Sequence, residues 1–461
     1  MLNDLRELIA VKSVMGESKE NAPFGEGPRK ALDVFLSIAA RYGFKTHDEG
    51  GYCGWAEMGD GEEMIGILGH LDVVPAGEGW SHDPYSLAIE DGLLIGRGVT
   101  DDKGPTIAAL HAMKRILDSG VKLNHRVRLI VGCNEENGSQ CIEYYREHCE
   151  IPKASFVPDA DFPIINSEKG ILHLSLALDC DDALTQNVTE MVAGIRPNVV
   201  PDLCSATVPK NSELYSYLAA LGSDNSVFTR PEVATVIASG GMRIEDFSIH
   251  FFEDKLVLEA RGVAGHAMDP DKGENAAVKM LKLLSGLPAT KKSNVLNSVV
   301  AALGANDSAG LLGIETKDDV SGKLTVNLGI LELKSGKLSI TLDLRLPVCA
   351  NREKVKTAIA SKLNGKLTEL RYSPNLYIPA NSPLITALLS SYEEVTGEKG
   401  ECLYCGGGTY ARELPNAVAF GPTFKGLETN IHNIDESFPV ELMEKLVDIY
   451  EKAIIKLCEN F

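Results

Sequence analysis

The sequence predicts an α/β protein in which a doubly wound domain with a mixed sheet is interrupted by an inserted α+β domain. Over the first 165 residues, amphipathic helical periods alternate with short apolar runs, a pattern typical of helices packed on a largely parallel sheet. From about residue 170 onward, apolar and polar residues alternate one by one, which is typical of half-solvated antiparallel strands. Helix and strand signals of the first kind return from Ala380 onward. The order of these regions indicates that one domain is inserted into another.

Composition and charge limit the class of protein. The chain has 461 residues, 44% of them hydrophobic and 24% charged, which is enough to bury the cores of two or three domains. Its formal net charge of -20 disfavours nucleic acid or an anionic membrane surface as a partner. The charged segment 1–7 lacks the apolar stretch of a signal peptide, and no run of about 18 apolar residues follows, so we expect a cytoplasmic protein. Ten cysteines indicate reduced thiols rather than a disulfide scaffold.

The first part of the doubly wound domain, residues 1–169, is predicted to alternate helices and strands. The elements predicted up to residue 118 are helices over 4–11 and 27–42, a hairpin over 44–57, a buried strand over 64–71 and a helix over 101–118. Pro105 in the first turn of the last helix and Gly120 beyond its end are typical of helix termini. Strand, helix and strand then follow through Asp159. The second part of the domain is predicted over residues 377–461.

The inserted domain is predicted over residues 170–376. Its alternating strands are predicted over 171–178, 255–260, 323–328 and 337–344. Two stretches, around 171–209 and around 256–285, can be interpreted as paired halves of this domain. We therefore expect the insert to consist of two lobes.

Five short segments carry the acids and histidines from which a functional site can be built. They are His70-Leu71-Asp72, Asp101-Asp102, Glu135-Glu136, Asp159 and His432. Each of the first four follows an apolar run that is typical of a strand, and open α/β sheets place their sites at the carboxyl ends of strands. Imidazole and carboxylate groups are ligands of zinc and manganese, and three carboxylates beside two histidines exceed what one ion usually collects. The segments therefore predict a hydrolase site with two metal ions.

The first two segments also have simpler explanations. His70 and Asp72 face the same way on an extended strand, so Asp72 can fix the tautomer of His70; the alternative is a satisfied histidine at a strand end. Asp101 lies on a glycine-flanked turn from which it can reach two ions. The alternative there is that Thr100 or Asp101 simply caps the following helix.

The third segment, Glu135-Glu136, closes the strand before it. Two adjacent desolvated carboxylates repel each other strongly unless one binds a cation, and the other then stays close enough to act as a base. A solvated charge pair is the alternative. Beside the other four segments, the interpretation as a ligand and a base is favoured.

Together these segments resemble a known family. The residues that carry the resemblance are Gly69–Pro75, Gly96–Gly98, Asp101–Gly104, Glu135-Glu136, Pro158-Asp159 and His432. In order and spacing, and over the whole chain, they are similar to the co-catalytic metallopeptidases that include carboxypeptidase G, aminoacylase, succinyl-diaminopimelate desuccinylase and carnosinase. Because of Gly406–Arg412, Gly194–Asn198 and the long insert, the chain most resembles the PepV-type dipeptidase branch of that family.

The resemblance implies two divalent ions per chain, with zinc as the first expectation and manganese as the alternative. The implied ligands are His70, Asp101 and Asp159 for one ion, and Asp101, Glu136 and His432 for the other. Asp101 would thus bridge the two ions. Glu135 is implied to be the general base, and Asp72 is implied to orient His70.

The resemblance also implies substrate contacts. His266 aligns with a histidine that family members place over the substrate carbonyl, Asn198 lies in a segment that faces the site, and Arg345 matches an arginine that holds the terminal carboxylate of a peptide. The glycine run around Gly407, followed by Thr409, can cup a carboxylate with its backbone N–H groups. The alternatives are a surface turn for His266, the solvent face of a strand for Arg345, and a merely flexible glycine loop.

The function implied by the resemblance is hydrolysis of short unblocked dipeptides, including β-alanyl dipeptides, by metal-activated water with Glu135 as the base. The first alternative is an acyl-amino-acid deacylase of the desuccinylase or deacetylase type. The second is a non-catalytic metal-binding scaffold, against which the intact Glu135 argues. Because the insert is long enough for two lobes, we expect a monomer in which the insert acts as a lid and His266 completes the site of its own chain.

Overall fold

The structure is a computed structural model and describes residues 1–180 and 182–461. The chain divides into two compact units. Unit 1 comprises Met1–Glu168 and Leu376–Phe461, and unit 2 comprises Lys169–Asn375. Unit 1 combines helices with a mixed sheet, and unit 2 combines helices with an antiparallel sheet. The predicted fold class is therefore confirmed.

The main sheet in the described residues of unit 1 is mixed. Its strands, in spatial order, are Lys45–Glu49, Cys53–Met58, Arg126–Gly132, Met64–His70, Ala154–Val157, Ala417–Ala419, Ile164–Glu168 and Leu376–Tyr377, with Cys402–Cys405 paired to Ile164–Glu168. Met64–His70 runs parallel to both of its neighbours, Arg126–Gly132 and Ala154–Val157. It is buried along its whole length, as expected for a parallel strand covered on both faces. The carboxyl ends of these three strands consequently lie at one edge of the sheet.

Helices pack on this sheet and share one apolar core with it. They are Leu2–Ile9, Glu26–Arg41, Lys103–Ser119, Gln140–His148, Pro383–Thr396 and Val440–Asn460, with a 3-10 turn at Tyr410–Arg412. Lys103–Ser119 packs against Val440–Asn460, and its first half is buried on all sides. It ends at Gly120, whose φ of 70° is a left-handed conformation that glycine adopts without strain. No helix among the described residues is both long enough and apolar enough to span a membrane.

One predicted strand lies outside the main sheet. Leu93–Ile95 pairs antiparallel with Ala88–Glu90 and with Ser437–Pro439 in a small separate sheet. The apolar run before Asp101 therefore forms a strand, as predicted, but this strand does not belong to the main sheet. The physical reason is that an apolar run of three residues does not reveal its partners, and one partner here comes from the far end of the chain. A further short pair joins Ala160–Asp161 to Pro422–Thr423.

The described part of unit 2 is built on one antiparallel sheet. Its strands, in spatial order, are Phe247–Phe251, Lys255–Arg261, Leu203–Pro209, Glu190–Ala193, Thr325–Lys334, Lys337–Leu346, Gly170–Asp179 and Lys366–Ser373. Alternation along Gly170–Asp179 places its leucines on the face that packs in the core of the unit. The helices are Glu213–Leu221, Pro231–Ser239, Ala276–Gly286, Asn294–Leu303, Ala309–Leu312 and Arg352–Lys362. Shorter elements are the 3-10 turns Asn225–Thr229, Ile244–Asp246 and Pro270–Lys272 and the pair Lys317–Asp318 with Gly322–Lys323.

Candidate metal centre

Three neighbouring strand ends in unit 1 carry predicted site residues. His70 is the last residue of Met64–His70, and in the parallel register it lies opposite Gly132, the last residue of the next strand. Glu135 and Glu136 follow that strand, and Asp159 follows Ala154–Val157 on the other side. These side chains therefore start from one edge of the sheet, where the sequence predicts a site.

Asp101 lies between the two predicted histidines. Its Oδ1 is 2.8 Å from Nε2 of His70, and its Oδ2 is 2.9 Å from Nε2 of His432. Nε2 of His70 is also 3.8 Å from Oδ2 of Asp159, and Nε2 of His432 is 3.2 Å from Oε2 of Glu136. Among the described residues, two groups have ligand atoms within 4.8 Å of one another, and both groups contain Asp101. The structure thus brings together all five residues that the sequence predicts as ligands.

Three acids beside Asp101 are difficult to ionise in their surroundings, whereas hydrogen bonds to His432 and His70 outweigh burial and lower the pKa of Asp101 itself. Burial, reinforced by the charges of Glu136 and Asp101, raises the pKa of Glu135 to about 8. Burial also raises the pKa of Glu136 and of Asp159, and the charge of Asp101 adds to both shifts. A divalent cation would remove this excess of negative charge. Two imidazoles with several carboxylates are a donor set that zinc and manganese accept, so these residues fit the implied metal ions.

His70 has a defined orientation. Its Nδ1 lies 2.9 Å from the backbone carbonyl oxygen of Asp72, which can only accept a hydrogen bond, so Nδ1 carries the proton. Nε2 is then the ring nitrogen that faces Asp101 and Asp159. This is the arrangement in which a histidine presents a lone pair to a metal ion.

Asp72 differs from the sequence expectation in one respect. Its carboxylate Oδ1 is 3.6 Å from Nδ1 of His70, farther than its own carbonyl oxygen. The two carboxylate oxygens instead accept hydrogen bonds from the backbone N–H groups of Glu135, at 3.0 Å, and Glu136, at 3.2 Å. Asp72 therefore fixes the histidine mainly through its backbone and the acid pair through its side chain.

Sequence reasoning missed Glu436, which supports the turn that carries Asp101. The carboxylate of Glu436 is fully buried and accepts hydrogen bonds from the backbone N–H groups of Gly98, Thr100 and Asp101 at 2.9 to 3.2 Å. It also pairs with Arg97 at 2.6 Å. The only signal was its place beside Asp435 in the segment around His432, and that segment does not reveal the partner.

Asp102, the residue directly after Asp101, is bonded to the backbone of His70. Asp102 is fully buried, and its Oδ2 accepts hydrogen bonds from the backbone N–H of His70 and from the hydroxyl of Thr106, both at 3.1 Å. The helix begins after Asp102, which makes no side-chain capping bond. The alternative that Thr100 or Asp101 caps this helix is therefore wrong.

The glycine run is anchored in unit 1. The backbone N–H and the hydroxyl of Thr409 donate to the buried carboxylate of Glu168 at 3.3 and 2.8 Å. Arg412 also donates to Glu168, at 2.9 Å, and to the carbonyl oxygen of Gly407, at 2.6 Å. Substrate binding by Gly407 and Thr409 stays a prediction.

The predicted substrate contacts Asn198 and His266 lie side by side in unit 2. Val199 forms an antiparallel bridge with His266, and the N–H of Ala267 donates to the carbonyl oxygen of Asn198 at 3.0 Å. The side chain of His266 is exposed, and its Nδ1 accepts a hydrogen bond from the N–H of Met268 at 3.1 Å. Their roles toward a substrate stay predictions.

Arg345 is buried in the same unit. Its guanidinium group forms a two-point pair with Asp343, with Nε and one terminal nitrogen 2.7 and 2.9 Å from the two carboxylate oxygens. Asp343 in turn lies 2.9 Å from Nε2 of His173. Since Arg345 is only 3% exposed, the alternative that it lies on the solvent face of its strand is wrong. Its contact with a substrate carboxylate stays a prediction.

The chain is similar to known proteins over almost its whole length. The family model of peptidase family M20/M25/M40 matches residues 66–456. The protein named "Putative dipeptidase YtjP" from Bacillus subtilis (strain 168) is 35% identical over 468 residues, which cover 100% of this chain and 97% of the relative. A relative with the same description from Staphylococcus aureus (strain MRSA252) is 34% identical over 470 residues, covering 99% of this chain and 97% of that protein.

Solved structures with low sequence identity share the fold. An M20 family metallo-carboxypeptidase from Sulfolobus solfataricus has a TM-score of 0.58 at 20% identity, covering 99% of this chain and 98% of that chain. Human carnosine dipeptidase 1 has a TM-score of 0.55 at 14% identity, with 99% and 96% covered. The matched family and the full-length relatives confirm the resemblance, and we conclude that this chain belongs to peptidase family M20/M25/M40 and is a peptide hydrolase.

Proposed function

We propose that this chain is a dipeptidase that holds two divalent ions and cleaves short unblocked dipeptides. The observation that carries the proposal is the pair of ligand groups that share Asp101, beside one further acid, Glu135, that belongs to neither group. The names of the full-length relatives, which describe dipeptidases, support the substrate class.

In this proposal the five clustered residues are the metal ligands. His70 and Asp159 hold one ion, Glu136 and His432 hold the other, and Asp101 is shared. Ions bound there would supply a water molecule with a pKa near neutrality and would polarise the scissile carbonyl group. Zinc is the first expectation, with manganese as the alternative, because both accept imidazole and carboxylate ligands.

Glu135 moves the proton in the proposed reaction. Its carboxylate takes a proton from the attacking water and passes it to the nitrogen of the leaving amine, so one group serves as base and then as acid. Its backbone N–H is held by Asp72, which fixes the start of its side chain. Its raised pKa of about 8 in the absence of a cation matches a group that must hold a proton between two steps.

Unit 2 supplies the proposed substrate contacts. Arg345 binds the terminal carboxylate of the dipeptide, because a guanidinium group suits two-point pairing with a carboxylate. His266 donates to the carbonyl oxygen as negative charge develops on it. Asn198 contacts the peptide beside His266, its neighbour in the structure. In unit 1, Gly407 and Thr409 bind the substrate through backbone N–H groups of the glycine run.

A substrate panel tests this proposal. The chain, loaded with zinc or manganese, is assayed on free dipeptides, on β-alanyl-histidine, and on N-acetyl and N-succinyl amino acids. The proposal expects kcat/KM for at least one free dipeptide to exceed that for every N-acyl amino acid by about 10-fold or more. Preference for an N-acyl amino acid would show a deacylase instead, and absence of any hydrolysis would support a scaffold.

A further inference from the structure

One strand of unit 2 carries two buried polar residues at its start. Thr325 and Asn327 lie in Thr325–Lys334, are fully buried, and are two positions apart, so they face the same side of the sheet. On the neighbouring strand, Arg345 lies directly opposite Thr325, and Asp343 lies opposite Asn327. These four residues therefore form one polar patch on a sheet whose other face is apolar.

Asn327 binds the chain on both sides of Asn198. Its side-chain Nδ2 donates to the carbonyl oxygen of Pro197 at 3.0 Å and to that of Val199 at 3.1 Å. Both partners can only accept hydrogen bonds, so the amide must present its NH₂ group to them. The side chain of Asn198 projects from the residue between these two anchored carbonyl groups.

Thr325 binds the segment that carries His266. Its hydroxyl donates to the carbonyl oxygen of Ala267 at 3.3 Å. The N–H of Ala267 donates to the carbonyl oxygen of Asn198 at 3.0 Å, so the two segments are also bonded to each other. The segments of Asn198 and His266 are thereby bonded to one pair of buried side chains, and Arg345 lies opposite one of that pair on the neighbouring strand.

Glycines let the Asn198 segment lie directly on this strand. A Cβ atom added to Gly329 would lie 2.2 Å from the carbonyl oxygen of Pro197. A Cβ atom added to Gly194 would lie 1.9 Å from the carbonyl oxygen of Gly329. Neither distance is possible for a real side chain, so the close approach requires glycine at both positions. The close contact between the Asn198 segment and the strand Thr325–Lys334 therefore depends on these two glycines.

We propose that Asn327 and Thr325 are positioning residues, which hold the segments of Asn198 and His266, respectively, in register with Arg345. The inference rests on the proposed function, because Asn198, His266 and Arg345 are the proposed substrate contacts. Asn327 bonds to the backbone of the Asn198 segment and Thr325 to that of the His266 segment. Oδ1 of Asn327 also accepts from Nδ2 of Asn275 at 3.5 Å, a contact that Asn327→Asp retains. Loss of the hydrogen bonds that Asn327 donates should leave the metal ligands unchanged and displace the substrate contacts, and small displacements of such groups reduce catalysis severely.

The test compares two matched asparagines in the metal-loaded, full-length protein. Asn327→Asp keeps the shape of the side chain and removes both donated hydrogen bonds. Asn187→Asp is the control, because Asn187 is also buried in unit 2 and also donates to two carbonyl oxygens, those of Ala183 at 2.8 Å and Ala289 at 3.3 Å. Among the described residues, the side chain of Asn187 bonds to Ala183, Ala289 and Leu214, which lie outside segments 194–202 and 262–269.

Two readouts separate positioning from general destabilisation. Hydrogen exchange of segments 194–202 and 262–269 should be faster in Asn327→Asp and unchanged in Asn187→Asp. The value of kcat/KM on the best dipeptide should fall about 10-fold or more only in Asn327→Asp, at a melting temperature similar to that of the control. Unchanged exchange in Asn327→Asp, or equal changes in both variants, would overturn the proposal.

A milder variant covers the case in which Asn327→Asp does not fold. Thr325→Val keeps the shape and removes one hydrogen bond, so exchange should increase in 262–269 and much less in 194–202. Equal exchange of 262–269 in this variant and the wild type would overturn the proposal. Because exchange needs no substrate, a wild-type protein that hydrolyses no dipeptide would contradict the proposed function while leaving the structural result readable.

Discussion

Two groups of buried acids, one in each unit, are neutralised in different ways. In unit 1, burial raises the pKa of Glu135, Glu136 and Asp159, because their neighbours include further acids. In unit 2, burial also raises the pKa of Asp343, but its bonds to His173 and Arg345 outweigh burial and lower the pKa overall. Asp343 is thus satisfied by the chain itself. For Glu135, Glu136 and Asp159, burial and neighbouring acids outweigh the nearby histidines, so we expect cations to bind beside them. The comparison predicts that metal loss affects unit 1 and that substrate recognition can be changed separately in unit 2.

The largest expected effect comes from Glu135. Glu135→Gln removes the proton carrier but keeps its size, so turnover should fall by about 10²–10⁴-fold or more while both ions stay bound. Glu136→Gln removes a ligand and should instead lower the metal content. Kinetics and elemental analysis of the two variants check this division.

The adjacent pair provides its own control for that prediction. Both variants remove one acid from the same cluster and change the same number of atoms. If Glu135→Gln loses metal and Glu136→Gln keeps it, the base and the ligand have been assigned in the wrong order. That result would contradict the proposed reaction, but it would leave the difference between the buried acids of unit 1 and unit 2 unchanged.

A smaller effect is expected from Arg345. Arg345→Lys replaces two-point pairing by a single ammonium group, so kcat/KM on free dipeptides should fall by about 10-fold or more, and much less on their C-terminal amides. Arg128→Lys is a matched control, because Arg128 is also a buried arginine that pairs with a carboxylate, that of Glu57 at 2.6 Å. Equal losses on free and amidated peptides for Arg345→Lys would indicate a purely structural role.

The smallest effect is a change in stability with pH after metal removal. The pKa of Glu135 is raised from 4.5 to about 8, and hydrogen bonds to Asp101 and Glu136 raise the pKa of His432 from 6.5 to about 10. Both groups hold protons in the folded state that the unfolded chain releases at lower pH. Their stabilising contributions are therefore complete below the unfolded pKa values and are lost as pH rises toward 8 and 10.

Chelated protein should accordingly melt at lower temperatures as the pH rises from 5 to 10, over the window set by these two pKa values. Metal-loaded protein should not show this decline, because its ligands are bound in deprotonated form. Thermal melting of both forms across the same buffers measures the difference. Parallel curves would mean that the acids of unit 1 do not require cations, contrary to the comparison of the two units.

The candidate ligands of unit 1 could be predicted because local patterns place them. His70 and Asp159 directly follow apolar strands, and parallel strands bring such positions together. Glu436 could not be predicted, because the N–H groups it binds lie 335 to 338 residues earlier in the chain. Contacts between residues so far apart in the sequence leave no local sequence pattern.

The strands of unit 2 could be predicted from the sequence, but the buried side chains that bond to its irregular segments could not. Alternation along Gly170–Asp179 and Lys337–Leu346 predicted antiparallel strands, and both are present. Asn327 gave no signal, because its partners lie in an irregular segment 128 to 130 residues away. Asn198, His266 and Arg345 were proposed only through resemblance to a family, since their spacing alone indicates no common site.

The central claim is that the chain holds two divalent metal ions and needs them for activity. Elemental analysis of fully active protein, combined with activity after exhaustive chelation and after addition of zinc or manganese, tests this most directly. The account predicts two divalent ions per chain, loss of activity on chelation and recovery when either metal is restored. Full activity with a single ion, or full activity after the metal has been removed, would contradict it.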